Sequence, residues 1–280
     1  MTRPVRIVVG LLVTTLWLSA VSRLATTPAW ADLGHVLVQD VRPRPGVWRL
    51  VRGTLHHLAL PALGLVATLL AGVAWRRDRR AALLFVAGVV ATNVVVQAMK
   101  RGPLPAPEGL NPLSGHVGVA AGIGLCWFAA LSGGPGSALP RAARGPVAAV
   151  VSGGVAVGVL LTGWHDVPEV LGPLGVATGT AIAVAQPVAG HRPRVFGWTA
   201  VLGAGALAAL LVTWSASWGA GASDDPLAAG VLSAALALAG TACAVALVAL
   251  CERTSRPPAG TTAAAHSPPD VRVSQRQSLG

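Results

Sequence analysis

Charged residues are scarce in this chain. They make up 11% of its 280 residues, whereas a soluble domain carries roughly 25%. Tyr is absent, and hydrophobic residues supply 53% of the chain in long continuous runs. The mean hydropathy is +0.65. This composition excludes a soluble globular enzyme and an intrinsically disordered chain, and it indicates an all-α polytopic membrane bundle.

Cysteine and acidic residues are also few. The three Cys, at positions 126, 243 and 251, are odd in number and lack a CxxC spacing, so we infer neither a disulfide framework nor a metal site. The chain has ten acidic and 21 basic residues, which gives a net charge of +11. The basic residues stand in short clusters between apolar runs, which is typical of membrane topology signals. We therefore expect membrane lipids as partners and no nucleic acid.

Eight apolar runs approach the roughly 20 residues of helix that cross a bilayer. They are 6–25, 56–75, 81–99, 115–133, 146–164, 168–189, 196–216 and 227–250. The remaining tail, 252–280, is rich in Pro, Ser, Thr and Arg and is expected to be disordered.

The basic clusters predict the orientation. With the N-terminus in the cytoplasm, Arg3, Arg6, the 76–80 run and the Arg-bearing C-terminal tail all lie inside. The segment 26–55 is discordant, because it would lie outside and yet carries four Arg. The first run also resembles a secretory signal with a small-residue cleavage site at Ala29-Trp30-Ala31. However, about ten residues separate that site from the apolar part of the run. We therefore expect it to remain as a first membrane helix.

Three polar groups stand at the ends of predicted spans, where ionisable residues are informative. Lys100 closes the third span, Ser114, Gly115 and His116 open the fourth, and the segment 165–169 joins the fifth to the sixth. Counting spans places all three groups on the outer face. Lys100 is also the single Lys of a chain whose other basic residues are Arg, a bias that, with the lack of Tyr, indicates a bacterium with a GC-rich genome.

These settings suit an anion and a reactive histidine. Ser114 and Gly115 open a helix, where free N–H groups and the helix dipole favour phosphate. His165 and Glu169 are four residues apart, so the carboxylate can accept a hydrogen bond from the imidazole and orient it. Each residue also has a purely structural interpretation: the histidines are interfacial polar residues and Lys100 is a snorkelling anchor. Ser114 and Asp166 are helix caps, and Glu169 complements the helix dipole.

The segments LSGH at 113–116 and GWHDVPEVLG at 163–172 resemble motifs of the type 2 phosphatidic acid phosphatase family. That family has the motifs K-x6-R-P, P-S-G-H and S-R-x5-H-x3-D in these places. The resemblance covers roughly residues 1–190 and implies a six-helix core there. The two additional membrane helices predicted over 191–251 and the tail 252–280 lie outside it.

The resemblance also implies a metal-independent hydrolase without a cofactor, acting on a lipid phosphate or polyprenyl diphosphate. His165 matches the nucleophile that forms a phosphohistidine, and His116 matches the general acid. Glu169 stands where the family has the orienting Asp. The phosphate-binding positions fall on a further set of residues: Lys100, Ser114, Gly115 and, as a compensating neighbour, Arg101.

Two motif arginines are absent. Pro107 and Glu108 stand where the first motif has Arg-Pro, and Gly158 and Val159 stand where the third motif has Ser-Arg. Loss of one such donor costs about 10²–10³ in rate. A pseudoenzyme that binds lipid headgroups or a partner is therefore the alternative, and a small transporter is a weaker one. The choice of lipid and the oligomeric state stay open.

Overall fold

The computed structural model describes residues 2–26, 47–102, 113–131, 141–161, 164–186 and 226–254, and all its regular elements there are α-helices. The seven helices, in chain order, are α1 Arg3–Ala25, α2 Val47–Arg77, α3 Arg79–Arg101, α4 Gly115–Leu131, α5 Arg141–Leu161, α6 Val167–Val184 and α7 Pro226–Thr254.

Six of these helices are long and apolar enough to cross a membrane, which supports a multi-pass membrane protein. The seventh, α4, is also apolar but has 17 residues, fewer than its predicted span. The helix α7 covers the last predicted span, whereas the predicted span 196–216 and the tail 252–280 lie outside the described residues except for the end of α7. The predicted loop 26–55 is partly wrong, because α2 already begins at Val47.

The connection between α2 and α3 is a single residue, Asp78. Its backbone is extended and its carboxylate accepts hydrogen bonds from the N–H groups of Arg80 and Ala81, which caps α3. At the other end of α3, Gly102 adopts φ 93° and its N–H bonds to the carbonyl of Ala98. A left-handed cap of this kind favours glycine.

The helices α4 and α6 lie side by side and run parallel at the centre of the bundle. At one end, the N–H of Ser114 donates to the carbonyl of Glu169 over 3.0 Å. At the other end, the N–H of Gln186 donates to the carbonyl of Ala129 over 3.2 Å. We name the end where both helices begin the histidine end and the end where both finish the arginine end.

The helix α1 crosses α6 in the opposite direction at close range. Gly10 and Gly179 face each other so closely that a Cβ on either would collide with the other's backbone. Nearer the histidine end, the indole of Trp17 covers Gly175, and its N–H donates to the carbonyl of Leu171 over 2.9 Å. Small residues thus allow the two helices to approach, as in membrane bundles.

The helix α3 packs antiparallel against α4. Gln97 lies against Gly115, Val96 against Gly118 and Thr92 against Gly122. Because α3 therefore ends where α4 begins, it delivers Lys100 to the histidine end. The outward faces of α1 and α2 expose large apolar side chains, and the core lies between α4 and α6.

Candidate functional site

The first turn of α6 is built by Asp166, Pro168 and Glu169. Asp166 has extended backbone, and its Oδ1 accepts from the N–H of Glu169 over 3.0 Å, so it is the helix N-cap. Pro168 stands at the start of the helix, where a missing N–H costs nothing. The sequence prediction that Asp166 is a cap is confirmed. This turn holds Glu169 in a defined position.

His165 and Glu169 are paired directly. The Nδ1 of His165 lies 2.6 Å from the Oε2 of Glu169, and the two side chains are 11% and 14% exposed. An ionised carboxylate can only accept, so Nδ1 carries the proton in this pair. The lone pair of the neutral ring is then on Nε2, which is the arrangement of an oriented nucleophile or base.

Glu169 also joins α6 to the start of α4. Its carbonyl accepts from the N–H of Ser114, and its own N–H donates to Asp166. The side chain of Ser114 is fully buried, and its Oγ accepts from the N–H of Val117 at 3.5 Å, a long cap. One residue thus links the second and third motif-like segments.

His116 is brought toward this cluster by an aromatic neighbour. Its ring lies 5.3 Å from the ring of Trp164, centroid to centroid, with the planes tilted by 38°. Trp164 immediately precedes His165, and its N–H donates to the carbonyl of Val159 over 3.3 Å. The structure therefore places both histidines at the histidine end.

The predicted phosphate-binding cations lie at the same end but are less closely placed. Lys100 and Arg101 form the last residues of α3 and are exposed. Gln97, one turn before Lys100, lies against Gly115, where an added Cβ would come within 3.1 Å of the amide nitrogen of Gln97. Within the described residues, neither cation forms an ion pair with Glu169 or His165.

The Asp166 carboxyl is electrostatically unusual. Burial, followed by repulsion from Glu169, raises the pKa of Asp166 to about 6 from 3.8. The hydrogen bond from the N–H of Glu169 and the nearby His165 act in the opposite direction and lower it. The histidine end therefore holds a carboxyl, Asp166, whose surroundings move its pKa toward neutral.

One of the two positions where the family motifs have an arginine lies among the described residues, and the other does not. Val159 is buried in the last turn of α5 and Gly158 precedes it, so neither supplies a cation. Pro107 and Glu108 lie outside the described residues. Among the described residues, no group of three His, Cys, Asp or Glu is arranged to hold a metal ion.

Sequence reasoning missed two neighbours of the predicted site. Neither Trp164 nor Gln97 is among the candidate site residues that the sequence predicts. The position of Trp164 next to His165 is a signal that could have identified it, whereas the placement of Gln97 depends on how α3 packs on α4.

Comparison with protein-family models, curated proteins and solved structures finds no match for this chain.

Proposed function

We propose that this protein is a membrane-embedded phosphatase that hydrolyses a lipid phosphate or diphosphate through a phosphohistidine on His165. The observation that carries the proposal is the 2.6 Å contact between His165 Nδ1 and Glu169 Oε2, on a residue whose carbonyl also holds the start of α4. The spacing of four residues predicted this pair, and the geometry supports it.

The proposed reaction requires a nucleophilic histidine and a second histidine that donates and then accepts a proton. The Nε2 of His165 attacks phosphorus, the bond from phosphorus to the leaving oxygen breaks, and His116 donates a proton to that oxygen. Glu169 stabilises the positive charge that develops on the His165 ring. Water then attacks the phosphohistidine, His116 takes up its proton, and phosphate leaves.

The parallel arrangement of α4 and α6 supports anion binding at the same place. Both helices begin at the histidine end, so the positive ends of both helix dipoles point there. This arrangement, with Lys100 and Arg101 at the end of α3, partly offsets the missing motif arginines. The apolar outer faces of α1 and α2 favour a substrate that reaches the site from the bilayer.

The test is phosphate release by the detergent-purified protein, with EDTA present, from phosphatidic acid, phosphatidylglycerophosphate and a polyprenyl diphosphate. We expect release by the wild type and none by His165→Ala. His57→Ala, an exposed histidine on α2, is the matched control and should keep full activity. Equal release by the wild type and His165→Ala would contradict the proposal.

A second measurement separates the roles of the two histidines. With nitrophenyl phosphate, the leaving group needs no proton, so His116→Ala should release the first equivalent of nitrophenolate about as fast as the wild type does, although the later hydrolysis of the phosphohistidine slows. With an alkyl phosphate, the first turnover of the same variant should be slower by about 10²-fold or more. An equal loss in the first turnover with both substrates would contradict the general-acid role of His116.

A second candidate function is headgroup binding without turnover. Val159, which is buried, stands at the position of a motif arginine and favours this candidate. An arginine there would form a strong, bidentate pair with phosphate, and valine cannot form that pair. If the folded protein binds these lipids but releases no phosphate from any, this candidate replaces the first.

A further inference from the structure

The arginine end of the bundle holds a cation that the proposed phosphatase does not use. Arg6 lies in the first turn of α1 and is only 8% exposed. Its Nη1 donates to the carbonyl of Ala185, the residue that ends α6. Its Nε is buried and has no hydrogen-bond partner among the described residues. Such a donor has lost water without replacement, so an acceptor at this place would be strongly favoured.

Two further arginines lie close enough to Arg6 to act on its charge. The charges of Arg3 and Arg80 both act on its guanidinium. Val184, next to Ala185, lies against Gly88 about midway along α3, and the half of α3 before Gly88 leads toward its start. The beginnings of α1 and α3 and the end of α6 therefore lie at the same end of the bundle.

Among the described residues, no carboxylate forms an ion pair with Arg6. The carboxylate nearest to Arg80 along the chain is that of Asp78, which caps α3 by accepting from the N–H groups of Arg80 and Ala81. The ion pair that the structure describes, His165 with Glu169, lies at the opposite end. A buried guanidinium with like charges beside it is stabilised by an anion from outside the chain.

We propose that Arg3, Arg6 and Arg80 bind a phosphate group at the arginine end, and that an anionic lipid headgroup supplies it. Arg6 stands in the first turn of a membrane-spanning helix, which is the depth of lipid phosphates. The planar guanidinium presents parallel donors that match phosphate oxygens. The chain folds its most basic segment, the 76–80 run, beside this place, which adds long-range attraction.

Arg6 also has a structural role, because it caps the last carbonyl of α6. A substitution at Arg80 tests phosphate binding without disturbing this structural role. Its side chain is exposed, and its backbone, not its side chain, bonds to Asp78. Replacing Arg80 therefore removes a phosphate ligand and leaves the α6 cap in place.

The experiment titrates phosphatidylglycerol into the detergent-purified protein and follows the rise in apparent Tm. Phosphatidylcholine and inorganic phosphate are titrated in parallel. In about 0.5 M salt, charges more than a few Å apart are screened, so that only close contacts contribute. Arg76→Gln is the matched control, since Arg76 is an exposed arginine of the same basic run that does not act on Arg6.

We expect phosphatidylglycerol to raise the wild-type Tm saturably and phosphatidylcholine not to. Arg80→Gln should need about tenfold more lipid for half the effect, the loss of one charge-assisted hydrogen bond. Arg76→Gln should match the wild type, and Arg6→Gln should lose the response on top of a lower starting Tm. A response to inorganic phosphate that Arg80→Gln weakens equally would keep the phosphate site but assign it to a soluble anion.

Four results would overturn the proposal: no selective response to phosphatidylglycerol, equal weakening by Arg76→Gln, an unchanged response in Arg6→Gln, or loss of the response in His165→Ala. The outcome is independent of the phosphatase activity. The His165→Ala protein should respond to phosphatidylglycerol as the wild type does, because His165 lies at the other end of α6. If His165→Ala abolishes the response, the lipid binds at the histidine end instead.

Discussion

At the histidine end a backbone hydrogen bond of 3.0 Å joins α4 to α6, and at the arginine end one of 3.2 Å does the same. The side chains around the two bonds differ. Glu169, His165 and Asp166 surround the first, whereas Arg6 reaches the carbonyl next to the second. The same backbone contact is therefore surrounded by carboxylates and a histidine at one end and by an arginine at the other.

The difference shows what each end can do. An arginine keeps its proton at any physiological pH, so the arginine end can bind and stabilise but cannot transfer a proton. A histidine paired with a carboxylate can do both. Substitutions that remove a group able to transfer a proton should therefore lower the rate of phosphate release only when they are made at the histidine end.

The largest expected effect follows removal of the Glu169 side chain. Glu169→Ala should lower phosphate release about 10²-fold or more, because the His165 ring loses its orienting partner. Glu169→Asp should retain more activity than Glu169→Ala, since it keeps a carboxylate. Gln186→Ala, at the arginine end, should change the rate less than twofold. Steady-state rates on one lipid phosphate measure all three, and equal losses from Glu169→Ala and Gln186→Ala would remove the distinction between the ends.

The sequence predicted the helices better than the contacts between them. Apolar run length places the first span, 6–25, close to α1, and Pro168 and Asp166 mark the start of α6. The start of α2 at Val47 was missed because Arg49 and Arg52 interrupt its apolar pattern. The length of an apolar run predicts that a helix is present. It does not predict polar turns that precede the run, such as the first turns of α2, because their residues do not continue the apolar pattern.

The candidate site was predictable in part for a similar reason. The contact of His165 with Glu169 follows from their spacing of four on the chain, although it spans the turn before α6 and not a full helical turn. The contact of His116 with Trp164, and that of Ser114 with Glu169, join distant segments. Such contacts depend on which helices pack together, and composition does not contain that information.

The next largest effect concerns stability and pH at Asp166. Its pKa is raised to about 6 in the folded state from 3.8, so the folded protein holds this proton more tightly than the unfolded chain does. Stability is therefore lost as pH rises between these two values, and above about pH 6 the loss is complete. Asp166→Asn keeps a capping oxygen and removes the charge, so it should be more stable than the wild type by about 1–3 kcal/mol at pH 8.

Near pH 4 the advantage of Asp166→Asn should largely disappear, because the wild-type carboxyl is then protonated. Thermal unfolding in detergent at the two pH values measures the difference. Asp166→Ala, which removes both charge and cap, should gain about 1 kcal/mol less than Asp166→Asn. A constant difference between Asp166→Asn and the wild type at both pH values would show that burial does not perturb this group.

A smaller effect is expected from the two tryptophans that contact a ring or a cation. Trp164 faces His116 at 5.3 Å at the histidine end, and Trp75 lies under Arg79 at 5.7 Å at the arginine end. An aromatic face favours a cationic ring by about 0.5–2 kcal/mol. Trp164→Leu should therefore lower phosphate release about tenfold, most strongly on the alkaline side of the pH–rate profile, where His116 must keep its proton.

Trp75→Leu is the matched control and should leave the pH–rate profile unchanged, because Arg79 does not transfer protons. Trp164→Phe keeps an aromatic face and should recover most of the activity. If Trp164→Leu lowers the rate equally at every pH, Trp164 positions His116 by packing and does not favour its protonated form.

The smallest expected effect is at Ser114. Its Oγ is 3.5 Å from the N–H of Val117, at the limit of a hydrogen bond, while its backbone N–H makes the 3.0 Å bond to Glu169. Ser114→Ala keeps the backbone bond and loses a weak cap, so the stability should fall by only about 0.5 kcal/mol. Phosphate release should fall about threefold, the value of one weak neutral hydrogen bond. Ser114→Pro instead removes the N–H that joins α4 to α6, and it should lower both stability and rate far more. If Ser114→Ala were as damaging as Ser114→Pro, the hydroxyl and not the backbone would hold the histidine end together.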